Sequence, residues 1–480
     1  MTIVDSKLLI DAHRDVTVPF KLRVRRPDGD EIILTFKSIL RLLPGKRIVA
    51  LAHCDGKAIL VKTFLGRTAK RYVSKERLGI EYIALAGVRT PELLWQADLL
   101  DGHGKLLAFE YLDDSISLQA SWDQACEDED RVDVLTRAMI IIAKLHNQGV
   151  VQADIHLGNF LMSHKRIYTI DGGGVVRKSE PPLAELASME NLSWFFAQFF
   201  PKFDDLIQIV FPAYEAVRGW GPDPDRVVTL FKKVTESRES RKKYYLDKAF
   251  RDCTRFVCQS SFSRFMVCER KDFNSEMESL LLDPDKYIDS GRILKDGNSA
   301  TVSLVQLSNR SLVIKRYNIK NPWHAIKRAM QKTRAWLSWS NAYHMEFLGI
   351  RSLKPVAMLE HRMGPLRNKA YFITEYIEGP DALAYLPTVE QYGGEIEELA
   401  SMLLLLSKNK ISHGDLKATN FVMAKEGPVI IDLDAMREHK NAESFKRAFD
   451  KDIDRFMKNW EDQPELSSRF EGLLEKLSSS

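Results

Sequence analysis

Residues 411–435, ISHGDLKATNFVMAKEGPVIIDLDA, repeat the punctuation of residues 150–174, VVQADIHLGNFLMSHKRIYTIDGGG. In each stretch an aspartate precedes an asparagine by five positions (Asp154 and Asn159; Asp415 and Asn420), and the asparagine precedes a second aspartate by twelve (Asp171; Asp432). One such D-x4-N is a weak signal, because Asp and Asn are common turn residues that bond their own backbone. Two copies with both intervals kept point to a duplicated unit. The surroundings repeat too. VDVLTRAMIIIAKLHNQG (132–149) and GEIEELASMLLLLSKNK (394–410) read as largely buried helices, with Gly149 and Asn409 where a left-handed stop falls. Further upstream, β-branched strand patterns carry Lys62 (AILVKTF) and Lys315 (LVIKRYN), and FEYL at Glu110 and TEYIEG at Glu375 mark a second repeated strand end.

The order strand-lysine, helix, strand Glu-Tyr, buried helix, D-x4-N, strand-Asp therefore occurs twice. It predicts an α+β chain of two tandem domains, each β-rich first and helix-rich second. The proline-bearing stretch LLLDPDKY places the boundary near residue 285. Domain 1 would span 1–285, with lobes of about 1–112 and 113–285. Domain 2 would span 286–480, with lobes of about 286–378 and 379–480.

The 480 residues exceed one domain quantum, and 45% hydrophobic with 28% charged residues suits globular cores rather than disorder. No window reaches the ~18 uninterrupted apolar residues of a membrane span, and MTIVDSKLLIDAHRD carries acids where a signal peptide is apolar. The expectation is a cytoplasmic protein. Five scattered cysteines without a C-x-x-C pair read as plain reduced thiols. A net charge of +4 gives no reason to expect nucleic-acid binding.

Two aspartates and an asparagine offer hard oxygen ligands of the kind Mg²⁺ takes when it leaves its other positions to phosphates and water. With a distant lysine to neutralise phosphate charge, the set suits phosphoryl transfer from ATP with Mg²⁺. The loop aspartate would orient an attacking hydroxyl and accept its proton.

HGDLKATN (413–420) resembles the catalytic loop of the protein-kinase-like superfamily at every specified position. The resemblance implies Asp415 as base, Lys417 as a contact to the transferred phosphoryl group, Asn420 and Asp432 as metal ligands and Lys315 as the phosphate lysine. In the first copy Asp154, His156, Asn159, Asp171 and Lys62 correspond, His156 standing in the loop-lysine place and Gln152 in that of the loop histidine. Glu110 and Glu375 fall at the hinge, where adenine meets backbone groups. The phosphate-covering loop is reduced to single glycines, Gly45 and Gly297. A helix glutamate should pair with the lysine: Glu76 in the first copy, with Glu81 as rival. In the second copy the place falls on Ser338, with Glu346 as a substitute. IIDLDAM and TIDGGGV both keep the aspartate of D-F-G, and only TIDGGGV has glycine at the third place.

No A-P-E segment follows either strand aspartate. With GVRTPELL, GIRSLKPVAMLE and the compact second loop, the pattern resembles the bacterial lipopolysaccharide-kinase branch, the Kdo/heptose kinases. That resemblance implies a sugar hydroxyl of lipopolysaccharide core, or its lipid-linked precursor, as acceptor. Lys315, Arg316, Lys320, Lys327, Arg328, Lys332 and Arg334, alongside Trp323, Trp336 and Trp339, suit peripheral contact with the cytoplasmic face of the inner membrane. They equally suit a solvated helix face that packs its tryptophans inward. The alternatives in function are an atypical protein Ser/Thr kinase and a nucleotide-binding pseudokinase scaffold with at most one active domain.

Overall fold

The computed structural model describes residues 2–308, 310–318, 331–364, 366–388 and 394–478. The chain divides into two compact units, Met1–Phe199 with Phe203–Arg238, and Phe200–Lys202 with Glu239–Ser480. Both are α+β, each with a seven-stranded sheet and a helical part.

In unit 1 the sheet strands are β1 (Ile3–Val4), β2 (Phe20–Arg25), β3 (Glu31–Leu43), β4 (Arg47–Cys54), β5 (Lys57–Leu65), β6 (Leu93–Leu99) and β7 (Gly104–Glu110), in the order β1-β2-β3-β4-β5-β7-β6. A further pairing of β2 with β6 curls the sheet back on itself. Strand β4 alternates half-buried and buried positions without a break, the period of a one-faced strand. Its inner face joins Leu22, Phe36, Ala50 and Val61 in one core. Helix α1 (Ala69–Leu85) buries Ala69, Val73, Glu76, Gly79 and Ile83, a single stripe at helical spacing. Its apolar members pack with Phe64, Leu107 and Phe109 of the sheet. Helices α2 (Asp128–Asn147), α3 (Glu185–Phe196) and α4 (Leu206–Arg218) enclose a second core around Met139, Ile142, Phe195 and Phe211.

In unit 2 the sheet holds β8 (Phe256–Ser260), β9 (Arg264–Glu269), β10 (Arg292–Gly297), β11 (Ala300–Leu307), β12 (Arg310–Tyr317), β13 (Pro355–Met363) and β14 (Leu366–Glu375), in the order β8-β9-β13-β14-β12-β11-β10. Helix α5 (Arg334–Leu348) starts at Thr333, whose hydroxyl accepts the Trp336 N–H at 3.1 Å, and stops at Gly349 with φ +72°. Helices α6 (Glu395–Lys408) and α7 (Ala442–Met457) belong to the helical part, with a last helix, Pro464–Ser478, that adds Leu466 and Phe470 to its core.

The unit division lies between Arg238 and Glu239, not near residue 285. Strands β8 and β9 fall before 285, yet β9 pairs with β13, so the second sheet claims residues 256–269. Pro284 opens a short helix, Pro284–Ser290, capped by the Asp283 side chain.

Trp339 is fully buried and donates Nε1–H to the Ala249 carbonyl at 2.9 Å. Trp336 stacks on Phe250 with centroids 4.3 Å apart. Both therefore pack inward, the second of the two readings of the basic-tryptophan segment. Lys320, Trp323, Lys327 and Arg328 lie outside the described residues. Among the described residues no helix is long and apolar enough to cross a membrane.

Candidate functional site

Lys62 sits on β5, whose neighbours β4 and β7 fix it from both sides: it faces Val49 on one and Leu107 on the other. Lys315 is held in the same way on β12, facing Val302 on β11 and Phe372 on β14. A lysine on a strand with two ladders cannot slip without moving the whole sheet, and that fixes its reach.

In unit 1, Lys62 Nζ hydrogen-bonds Glu76 Oε1 and lies 3.5 Å from Asp171 Oδ1. Lys62 and Glu76 are 8% and 1% exposed, so this pair is shielded from solvent. Glu81 is exposed. Arg47 lies 3.5 Å and Arg41 3.6 Å from the Asp171 carboxylate. Burial pushes the Asp171 carboxyl up, but the charges of Lys62, Arg47 and Arg41 outweigh it and hold the group below the usual carboxylate range.

In unit 2, Lys315 Nζ pairs with Asp432 Oδ1 and lies 3.1 Å from Asp434 Oδ2. Arg334 lies 2.7 Å from Asp434 Oδ2. Asp432 is likewise pulled below its ordinary range, its burial being outweighed by Lys315, His413 and Arg334. Lys315 is raised: burial acts against its charge, and Tyr317, Asp434 and Asp432 more than restore it.

Both strand aspartates adopt the left-handed conformation, φ/ψ 66°/59° at Asp171 and 59°/55° at Asp432, each followed by a 3₁₀ turn. This region disfavours residues with a β-carbon, so the surrounding fold must hold both aspartates in it. Asparagine geometry matches too. Asn159 Nδ2 donates to the Asp154 carbonyl at 2.7 Å and Asn420 Nδ2 to the Asp415 carbonyl at 2.8 Å. Each asparagine thus spends an amide N–H on its own loop, and its amide oxygen, a lone-pair acceptor, is the atom suited to a cation. With the ionised strand aspartates, the residues present fit a nucleotide-bound divalent ion.

Gln152 replaces the loop histidine without changing its bond. Its Nε2 donates to the Ile170 carbonyl at 3.3 Å, and His413 Nε2 meets the Ile431 carbonyl at 3.1 Å, in both cases the residue before the strand aspartate. Asp154 is exposed and His156 half-buried. Asp415 lies 2.6 Å from Arg455 and 3.0 Å from Lys417. Glu110 is exposed and Glu375 lies 3.9 Å from Lys354, while their backbones carry the ends of β7 and β14. Gly45 turns the β3–β4 hairpin at φ +65°, and Gly297 turns β10 into β11.

Glu346 does not reach Lys315. Arg255 and the Tyr245 hydroxyl hold its carboxylate at 2.7–2.9 Å. Ser338 is 1% exposed and shares a 2.8 Å hydrogen bond with the Tyr317 hydroxyl.

Several groups at the site carry no local sequence signal. Asp452, 3% exposed on α7, accepts the backbone N–H groups of His413 (2.6 Å) and Gly414 (3.0 Å) and so sets the loop before Asp415. Arg41, Arg47 and Arg455 are the others, while Arg334 stood out only as part of the basic-tryptophan segment. Asp434 had a readable signal in the D-L-D of IIDLDAM, where the other copy has D-G-G.

The family comparison supports a kinase. Residues 289–471 match the model of the Lipopolysaccharide kinase (Kdo/WaaP) family. No curated protein matches the chain. Among solved structures it is similar to WaaP in complex with acyl carrier protein, at 16% identity and a TM-score of 0.28, over 43% of this chain and 98% of that one. It is also similar to vaccinia related kinase 3, at 13% identity and a TM-score of 0.29, over 49% and 96%.

Proposed function

We propose that the protein is an ATP- and Mg²⁺-dependent kinase that phosphorylates a sugar hydroxyl of lipopolysaccharide core, built from two kinase-like domains of common origin. The observation that carries this reading is the meeting, in both units, of a strand lysine with a left-handed aspartate: Lys62 with Asp171 at 3.5 Å, and Lys315 with Asp432. The family match over residues 289–471 supports the acceptor class.

Bound Mg²⁺-ATP supplies the phosphoryl group and spreads its negative charge. Asn420 and Asp432 in one unit, and Asn159 and Asp171 in the other, hold the ion. Lys315 and Lys62 balance phosphate charge. Asp415 and Asp154 align the acceptor hydroxyl and take its proton, while Lys417 and His156 contact the group in flight. Gly297 lets the β10–β11 turn approach the phosphates, and the strand ends at Glu375 and Glu110 offer backbone groups to adenine. The acceptor is met from the cytoplasmic side, at the inner membrane or on a lipid-linked precursor.

Mass spectrometry of core oligosaccharide from cells lacking the protein tests this directly. One phosphate group should be missing, restored by the wild-type gene and not by an Asp154→Ala, Asp415→Ala double variant. Unchanged core phosphate with loss of phosphate from a protein would establish a protein kinase instead. Nucleotide-dependent thermal stabilisation without turnover on either acceptor would establish a scaffold.

A further inference from the structure

Unit 1 keeps the kinase pattern at two positions where unit 2 departs from it, and the two departures of unit 2 compensate each other. In unit 1 the carboxylate that holds the lysine comes from the helix. Glu76 Oε1 pairs with Lys62, and Oε2 accepts the Gly173 N–H at 2.9 Å. A β-carbon on Gly173 would meet that oxygen at 2.8 Å, so the glycine leaves the space the glutamate fills. Gly173 is the second residue after Asp171. In unit 2 the second residue after Asp432 is Asp434, 8% exposed, with Oδ2 3.1 Å from Lys315 Nζ. The helix there offers only Ser338, already bonded to Tyr317, and Glu346 is held by Arg255. The carboxylate missing from the helix stands on the turn, in the place where the other unit has no side chain.

We infer that Asp434 is the positioning residue for Lys315, doing from the turn what Glu76 does from the helix for Lys62, with Arg334 of α5 as its anchor. The inference rests on Lys315 being the nucleotide lysine of unit 2. It has a mechanical consequence. A helix-borne glutamate makes the lysine's position depend on where the helix sits. In unit 2 the lysine's anchor and the metal ligand Asp432 share one three-residue turn, so they are set together. The helix contributes a cation, Arg334 at 2.7 Å from Asp434, where in unit 1 it contributes an anion.

The test uses the full chain carrying Asp154→Ala, which confines turnover to unit 2, and reads Mg²⁺-dependent ATP hydrolysis. Asp434→Gly should raise KM for ATP about tenfold or more, the loss expected when a charge-assisted contact goes. Adding Ser338→Glu to Asp434→Gly, which recreates the unit 1 arrangement, should bring KM back to within about threefold of the parent. Asp434→Asn keeps the side-chain volume and should reproduce the KM effect, and the recovery of KM on adding Ser338→Glu separates positioning from folding. An unchanged KM in both single variants overturns the inference, as does a loss that Ser338→Glu leaves uncorrected. An unchanged KM for ATP with a weakened Mg²⁺ requirement also overturns it, making Asp434 a metal ligand. A parent without any ATP turnover or nucleotide binding would instead remove Lys315 as a nucleotide lysine, so failure of the underlying reading has its own signature.

Discussion

Lys62 and Glu76 form a buried pair, and burial decides what happens when one partner goes. Lys62→Met leaves the Glu76 carboxylate 1% exposed with only the Gly173 N–H for company. Removing one member of such a pair costs about 3–5 kcal/mol, whereas replacing both is far cheaper. Urea unfolding should therefore show Lys62→Met well below wild type and the Lys62→Met, Glu76→Gln double variant recovering part of the loss. A single variant as stable as wild type would contradict a closed pair. Gln152→His should do the opposite and change little, less than about 1 kcal/mol, because either side chain can donate to the Ile170 carbonyl. Loss of unit 1 turnover in Gln152→His would show that the loop position does more than hold a carbonyl. These residues were legible because intervals in sequence became intervals on a loop and its following strand. Asp434 is harder to read, because against the D-F-G pattern it is only a missing glycine, and its closeness to Lys315 comes from the folded turn. Asp452 and the four arginines meet the site only through distant folding, which no local spacing encodes.

At the level of elements, α1 is seated on the turn after Asp171 by missing side chains. A β-carbon on Gly79 would lie 1.8 Å from the Gly172 carbonyl oxygen, and one on Gly172 would lie 2.5 Å from the Glu76 carbonyl oxygen. Gly79→Ala gains about 1 kcal/mol of helix propensity. Overpacking costs about 1–3 kcal/mol, and against rigid backbone at this separation the cost wins. The variant should melt lower and lose turnover from unit 1 while unit 2 keeps its own; a stabilised Gly79→Ala would mean that the helix does not rest on the turn. The strands, the buried helices and their order were readable from periodicity. The unit division was not. A proline taken as a linker is the first residue of a helix, and the short strands β8 and β9 reveal their allegiance only through the pairing of β9 with β13, about ninety residues downstream.

Across the whole molecule, each unit holds a buried histidine that folding keeps neutral. Burial pushes His146 down to about 3, where it meets the Tyr214 hydroxyl at 2.8 Å and Asn191 at 3.0 Å, and pushes His344 down to about 4. In the unfolded chain both take up protons near the ordinary value of 6.5. Their contribution to stability is therefore whole above that value and is lost as pH falls toward 4 and 3. The lowered Asp171 and Asp432 act in the same direction at still lower pH, their stabilisation being lost below the unfolded carboxylate value of 3.8. Calorimetry from pH 7.5 to pH 4.5 should show steadily falling melting temperatures, with a shallower fall for the unit 1 transition in His146→Gln; a flat profile would contradict buried neutral histidines. The central claim concerns chemistry, and transfer of labelled γ-phosphate from ATP to purified lipopolysaccharide core tests it most directly. The account predicts transfer by the wild-type chain with Mg²⁺, reduced or redistributed transfer in Asp154→Ala and in Asp415→Ala, and none in the double variant. Undiminished transfer by the double variant would contradict it.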